Sequence, residues 1–74
     1  MKKEERKKIK QTIEEFEYYN NHMDKSANND YVKATNIKKN GDVVTADITI
    51  TTENSKETFY EQQYSLNQLK TFTK

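Results

Sequence analysis

The stretch YVKATNIKKNGDVVTADITITTENSKETFYEQQYSL, residues 31–66, decides the fold. Within it Val44, Ala46, Ile48 and Ile50 alternate with Thr45, Asp47, Thr49 and Thr51, the period-two pattern of a strand with one buried and one wet face. Asn40-Gly41 and Glu53-Asn54-Ser55 interrupt the alternation with turn chemistry. The pattern predicts three antiparallel strands, at about Tyr31–Lys38, Val43–Thr52 and Glu57–Leu66. Two registers compete in the first hairpin. A two-residue Asn40-Gly41 loop pairs Ile37 with Val44 and Tyr31 with Ile50; a three-residue loop pairs Ala34 with Ile48 and Val32 with Ile50. The type I′ preference of Asn-Gly favours the first. In the second hairpin, a three-residue loop at Asn54–Lys56 would set Tyr60, Tyr64 and Leu66 opposite Ile50, Ala46 and Val44, with Gln62 opposite Ile48.

Before the meander, Ile9, Ile13, Phe16, Tyr19 and Met23 recur at spacings of 4, 3, 3 and 4, one face of an α-helix. Residues 1–8 are basic and lack that face, and their lysines oppose the helix macrodipole, so this end is expected to fray. The firm helix then begins near Glu5, and its amphipathic body occupies 9–24. Seven Asn, Asp and Ser side chains between Asn20 and Asp30 compete for backbone hydrogen bonds and end the helix in a loop. Residues 67–74 read as a short fourth strand, or as a helical turn capped by Ser65 with Gln68 in the capping-box position. Phe72 belongs to the core in either case. The fold class is α+β: an N-terminal amphipathic helix packed on a three- to four-stranded antiparallel sheet.

A chain of 74 residues with 31% apolar side chains is a single domain near the lower limit of a self-sufficient core. Without cysteine there is no disulfide framework, and one histidine makes no Cys/His metal cage. Net charge is +1, but residues 1–10 carry six cations against two acids, whereas residues 11–30 carry Lys25 against five acids. Twelve lysines accompany a single arginine, which leaves little bidentate capacity for base edges or phosphates. The bias towards Lys, Asn, Ile and Tyr suits an AT-rich genome, as in low-GC Gram-positive bacteria and their phages or mobile elements. No window reaches the ~18 apolar residues of a membrane span, and residues 1–10 lack the apolar run of a secretory signal. The chain is therefore expected in the cytoplasm as written, and outside it if it is a fragment of an anchored lipoprotein.

The helix, the "IKKNGD" turn, the "VVTADITITT" strand and the "ETFYEQQYSL" strand resemble the back half of small cystatin-like and NTF2-like domains, over about Glu14 to Phe72. The resemblance implies a helix against a curled antiparallel meander. It also implies an accessory, envelope-lipoprotein or conjugation component. The chain lacks the extra helices that close the NTF2-like cone, and its only glycine, Gly41, stands in no Gln-x-Val-x-Gly loop. Neither enzymatic activity nor protease inhibition carries over.

Catalytic, metal and cofactor residues are accordingly expected to be none. His22 has no nucleophile or orienting partner nominated by the sequence and is expected to be exposed or to cap the helix end. Successive residues point about 100° apart on a helix, so of Glu14, Glu15 and Glu17 only Glu14 and Glu17 share a face, and the three form a solvated acidic flank instead of a cation cage. Asn28-Asn29-Asp30 and Asn40-Gly41-Asp42 lack the continuation of a calcium loop and are turns. What remains is binding. Lys3, Arg6, Lys7 and Lys10 on the basic tip, Tyr18 on the helix surface, and Lys38, Lys39 and Asp42 at the hairpin turn are the candidate partner-contacting residues. The expected partner is another protein, whose surface the domain occupies as an inhibitor or accessory factor. A structural role in an envelope or conjugation apparatus is the alternative, with electrostatic nucleic-acid binding through the basic tip behind it. Lys33 and Lys38 guard the first strand as an edge, leaving the third as a possible homodimer edge.

Overall fold

The computed structural model describes residues 2–21 and 30–72. Helix α1 (Lys3–Asn20) leads into strands β1 (Tyr31–Asn40), β2 (Val43–Thr51) and β3 (Lys56–Ser65), and helix α2 (Leu66–Phe72) closes the chain. The sheet is antiparallel in the order β1-β2-β3, so the alternating strand identified from sequence is the central one. The α+β architecture and the three-strand meander are as the sequence pattern requires. His22, Met23 and the Asn28-Asn29 turn lie outside the described residues.

α1 has no side-chain N-cap at Lys2, but Glu4 and Glu5 stand in its first turn, where the macrodipole favours acids. Its helical turns begin at Lys3, ahead of the firm start expected near Glu5. At its other end the Asn21 backbone N–H donates to Glu17 O at 3.0 Å and the Asn21 side chain to the same oxygen at 2.8 Å. α2 takes the helical alternative for the tail: the Gln68 N–H donates to Ser65 Oγ at 3.0 Å, a serine N-cap. The Leu66 N–H donates to Asp42 O at 2.9 Å and ties α2 to the first hairpin turn.

The register differs from the favoured expectation in both hairpins. Asn40 pairs with Val43, so the turn residues are Gly41 and Asp42 instead of Asn40 and Gly41. Gly41 has φ +63° and Asp42 does not share the positive sign, the φ pattern of a type II′ turn with glycine first. Further out, Val32 pairs with Ile50 and Ala34 with Ile48, the pairs of the disfavoured register. Both facts are reconciled by a bulge: Asn36 and Ile37 together oppose Ala46, with Asn36 at φ +53°. β3 does the same. Ile48 pairs with Phe59 and Ala46 with Gln62, so Tyr60 and Glu61 together oppose Asp47, and Glu61 has φ +52°. The bulge places Tyr64 opposite Val44, and Tyr60 is 71% exposed instead of opposite Ile50, which pairs with Glu57 because the loop lies at residues 52–55 and not at Asn54–Lys56.

The core lies between α1, α2 and one face of the sheet. Ile9 and Ile13 from α1 meet Val32, Ala34 and Ile37 from β1 and Val44, Ala46 and Ile48 from β2, closed by Tyr64 and Leu69. Thr12 is buried as well; its hydroxyl donates to Lys8 O at 2.9 Å, so the helix backbone satisfies it. Phe16 is half-buried and meets the Tyr64 and Phe72 rings edge-on, at 6.0 and 5.5 Å between centroids. Tyr19 was expected in the core stripe but is 61% exposed, and Tyr18 packs against the core in its place. The reason is the position of α1, which lies against β1 at the sheet's side and so turns its Glu14–Tyr18 flank down onto that strand.

Candidate functional site

The eight candidate contact residues fall into separate places. Arg6, Lys10 and Lys38 come together with Ala34, Thr35, Asn36 and Ile37 to line a groove of about 410 Å³ between α1 and β1. Lys3 and Lys7 are exposed on α1 beside it. Lys39 is on the other side of the hairpin: it pairs with Val44 on the core face, and its Nζ donates to Glu5 Oε1 at 2.8 Å. That bond is the main reason the Glu5 carboxyl titrates below the ordinary glutamate range, with Lys39's charge adding to it. Asp42 is exposed at the turn and contributes its backbone oxygen to α2. Tyr18 lines a different hollow with Glu14, Glu15, Tyr31 and Val32, and its packing against the core makes it a poor primary contact.

The bulge builds the groove. A regular β1 would carry Val32, Ala34 and Asn36 on the core face; the extra residue swings Ile37 inward instead, opposite Ala46. Asp47 Oδ1 accepts the Glu61 backbone N–H at 3.0 Å, and its Oδ2 lies 3.4 Å from Asn36 Nδ2. One carboxylate on the central strand thus stands between two left-handed residues, one on each neighbouring strand. The wet face is not chemically blank. It carries the carboxylate that bonds both bulges.

The acidic flank is also more engaged than a solvated face. Glu14 Oε2 accepts the Ala34 backbone N–H at 2.9 Å and the Lys10 ammonium as well. This carboxylate covers an outward-facing amide of β1, a role the sequence assigned to Lys33 and Lys38. Glu17 is half-buried and hydrogen-bonded to the Tyr64 hydroxyl. Burial pushes the Glu17 carboxyl above its ordinary value, a shift the Tyr64 bond partly offsets; burial and the adjacent Glu17 hold the Tyr64 hydroxyl well above the usual phenol range. Only Glu15 of the three remains on the exposed surface.

In contrast to Lys10 and Lys39, neither Arg6 nor Lys38 has a carboxylate within 4.0 Å among the described residues. Their charges face a groove whose remaining lining is Lys10 and residues 34–37 of β1. The described residues contain no group of three or more His, Cys, Asp or Glu side chains placed to hold a metal ion, and no helix long and apolar enough to cross a membrane. No protein-family model matches the chain, and no curated protein or solved structure is significantly similar to it.

Proposed function

We propose that this chain is a non-catalytic binding domain that acts by occupying the surface of a partner protein, as an inhibitor or accessory factor of a low-GC Gram-positive bacterium or its phage. The groove between α1 and β1 is the contact. The observation that carries this reading is the convergence of Arg6 and Lys38, from different elements and without carboxylate partners among the described residues, on one groove lined by the β1 bulge. Uncompensated cations flanking strand backbone offer steering charge and hydrogen-bonding groups to a partner. The lining supplies three cations, the Asn36 amide, the Thr35 hydroxyl and the aliphatic Ala34 and Ile37.

The test is affinity capture from a Gram-positive host lysate, with the wild-type chain and an Arg6→Glu/Lys38→Glu variant side by side. A protein retained by the wild type and lost from the variant supports the reading. Recovery of the same proteins by both, or of none by either, contradicts it. β3 supports a second partner, another copy of this chain, because α1 covers the β1 side while β3 is the outer strand opposite. Self-pairing there would be removed by Thr58→Pro, read as a fall in mass by sedimentation.

A further inference from the structure

We infer that the groove recognises a short acidic segment of its partner, and that Glu14 is a built-in competitor holding part of the site until that segment displaces it. This rests on the protein-binding reading above and names the chemistry of what is bound. Glu14 already shows how a carboxylate seats at this end of the groove, with one oxygen shared between the Lys10 ammonium and the outward N–H of Ala34. Lys10 and Ala34 both line the groove, and Arg6 and Lys38 extend the same positive lining past the Asn36 bulge. An incoming acidic side chain therefore finds cations beyond the place where Glu14 sits, and exchanges with Glu14 for the amide and the ammonium.

Towards Glu14 the length of the anion is bounded by the helix itself. Beyond Glu14 the α1 surface continues into Glu15 and, in the neighbouring hollow, Tyr18 and Tyr19. A long polyanion running along α1 meets like charge there, whereas a short acidic stretch ends before it. Phosphate-backbone binding draws its affinity from many cations along an extended track. This groove offers three, one of them already paired. A carboxylate-bearing peptide is the occupant that fits these limits.

Isothermal titration of the full chain with a capped hexaglutamate peptide at low salt tests this, with hexaglutamine and an oligothymidylate of matched charge as the other probes. Hexaglutamate is expected to bind, and hexaglutamine is not. Arg6→Ala/Lys38→Ala should weaken hexaglutamate binding about tenfold or more, and Glu14→Gln, which keeps an acceptor for Ala34 but drops the competing charge, should tighten it roughly three- to tenfold. Circular dichroism checks the fold of each variant, and Glu14→Ala, with the same expected direction, replaces Glu14→Gln if that variant does not fold. Hexaglutamate binding that is absent even in the Glu14 variant, unchanged by loss of Arg6 and Lys38, or weaker than oligothymidylate binding would overturn the inference. A partner captured in an Arg6- and Lys38-dependent way while hexaglutamate fails would leave the protein-binding reading standing and remove only the carboxylate chemistry.

Discussion

Asn36 and Glu61 hold the left-handed backbone conformation without being glycine, and each sits in a bulge beside Asp47. For an L-residue that conformation costs about 1–2 kcal/mol, least for Asn, whose short polar side chain bonds locally. Asp47 offsets part of the cost through the Glu61 amide and the Asn36 side chain. Asn36→Val and Glu61→Val should each destabilise the domain by about 1–2 kcal/mol, because a β-branched side chain tolerates positive φ worst. Glu61→Gly should stay within about 1 kcal/mol of wild type, relief of strain being set against the freer unfolded chain. Asp47→Ala should cost about 1–3 kcal/mol. Urea denaturation of the four variants separates a strained bulge, which gives this ordering, from an ordinary exposed strand position, which gives equal and small effects.

At the scale of elements, much of the fold stands in the residue pattern, and the departures have particular causes. β2 is legible because its alternation never breaks from Val44 to Ile50. The bulge in β1 was legible too: the buried positions Val32, Ala34 and Ile37 change phase between Ala34 and Ile37, with Asn, the non-glycine residue most at ease with positive φ, between them. Phe59 and Tyr64 carry the same phase change in β3. The alternative register therefore holds only for the outer half of the strand, and beyond the bulge the pairing moves on by one residue, so that Val44 meets Lys39 and the favoured pairing of Ile37 with Val44 does not occur. What could not be read was the lateral position of α1, since helix periodicity gives a face and not where that face lands. That position exchanges Tyr18 for Tyr19, brings Glu14 to Ala34, and joins Arg6, Lys10 and Lys38 while leaving Lys39 and Asp42 apart. α2 was one of the two readings of the tail, the one that the Ser65 cap carries. Ser65→Ala should destabilise the protein by about 1 kcal/mol by removing the acceptor for the Gln68 N–H, seen as a lower denaturation midpoint with unchanged slope.

For the molecule as a whole, a core this small leaves little reserve. Ile13→Ala, at a fully buried site where helix meets sheet, should cost about 2–5 kcal/mol, a large part of the ~5–15 kcal/mol typical of a small domain, and should visibly lower the unfolding temperature. The half-buried Glu17 also makes the whole fold pH-sensitive. Its folded-state pKa lies above the ordinary 4.5, so the native state holds the proton more tightly, and stability falls as pH rises from about that value through the folded pKa. Glu17→Gln keeps a partner for Tyr64 and should flatten that fall, so the variant gains on wild type between pH 4 and pH 7 in thermal unfolding; a constant difference would show that Glu17 does not titrate differently in the two states. The exposed Glu5–Lys39 pair acts in the opposite direction, contributing above the ordinary glutamate pKa and fading as pH falls through the lowered one. The proposed binding depends on one place where α1, the β1 bulge and three cations meet. Mapping amide shift changes in the 15N-labelled chain on addition of hexaglutamate locates that place directly. Shifts should cluster at Arg6, Lys10 and Ala34 to Lys38; shifts confined to residues 2–8, or running along Lys56–Phe59 of β3, would contradict the groove as the binding surface.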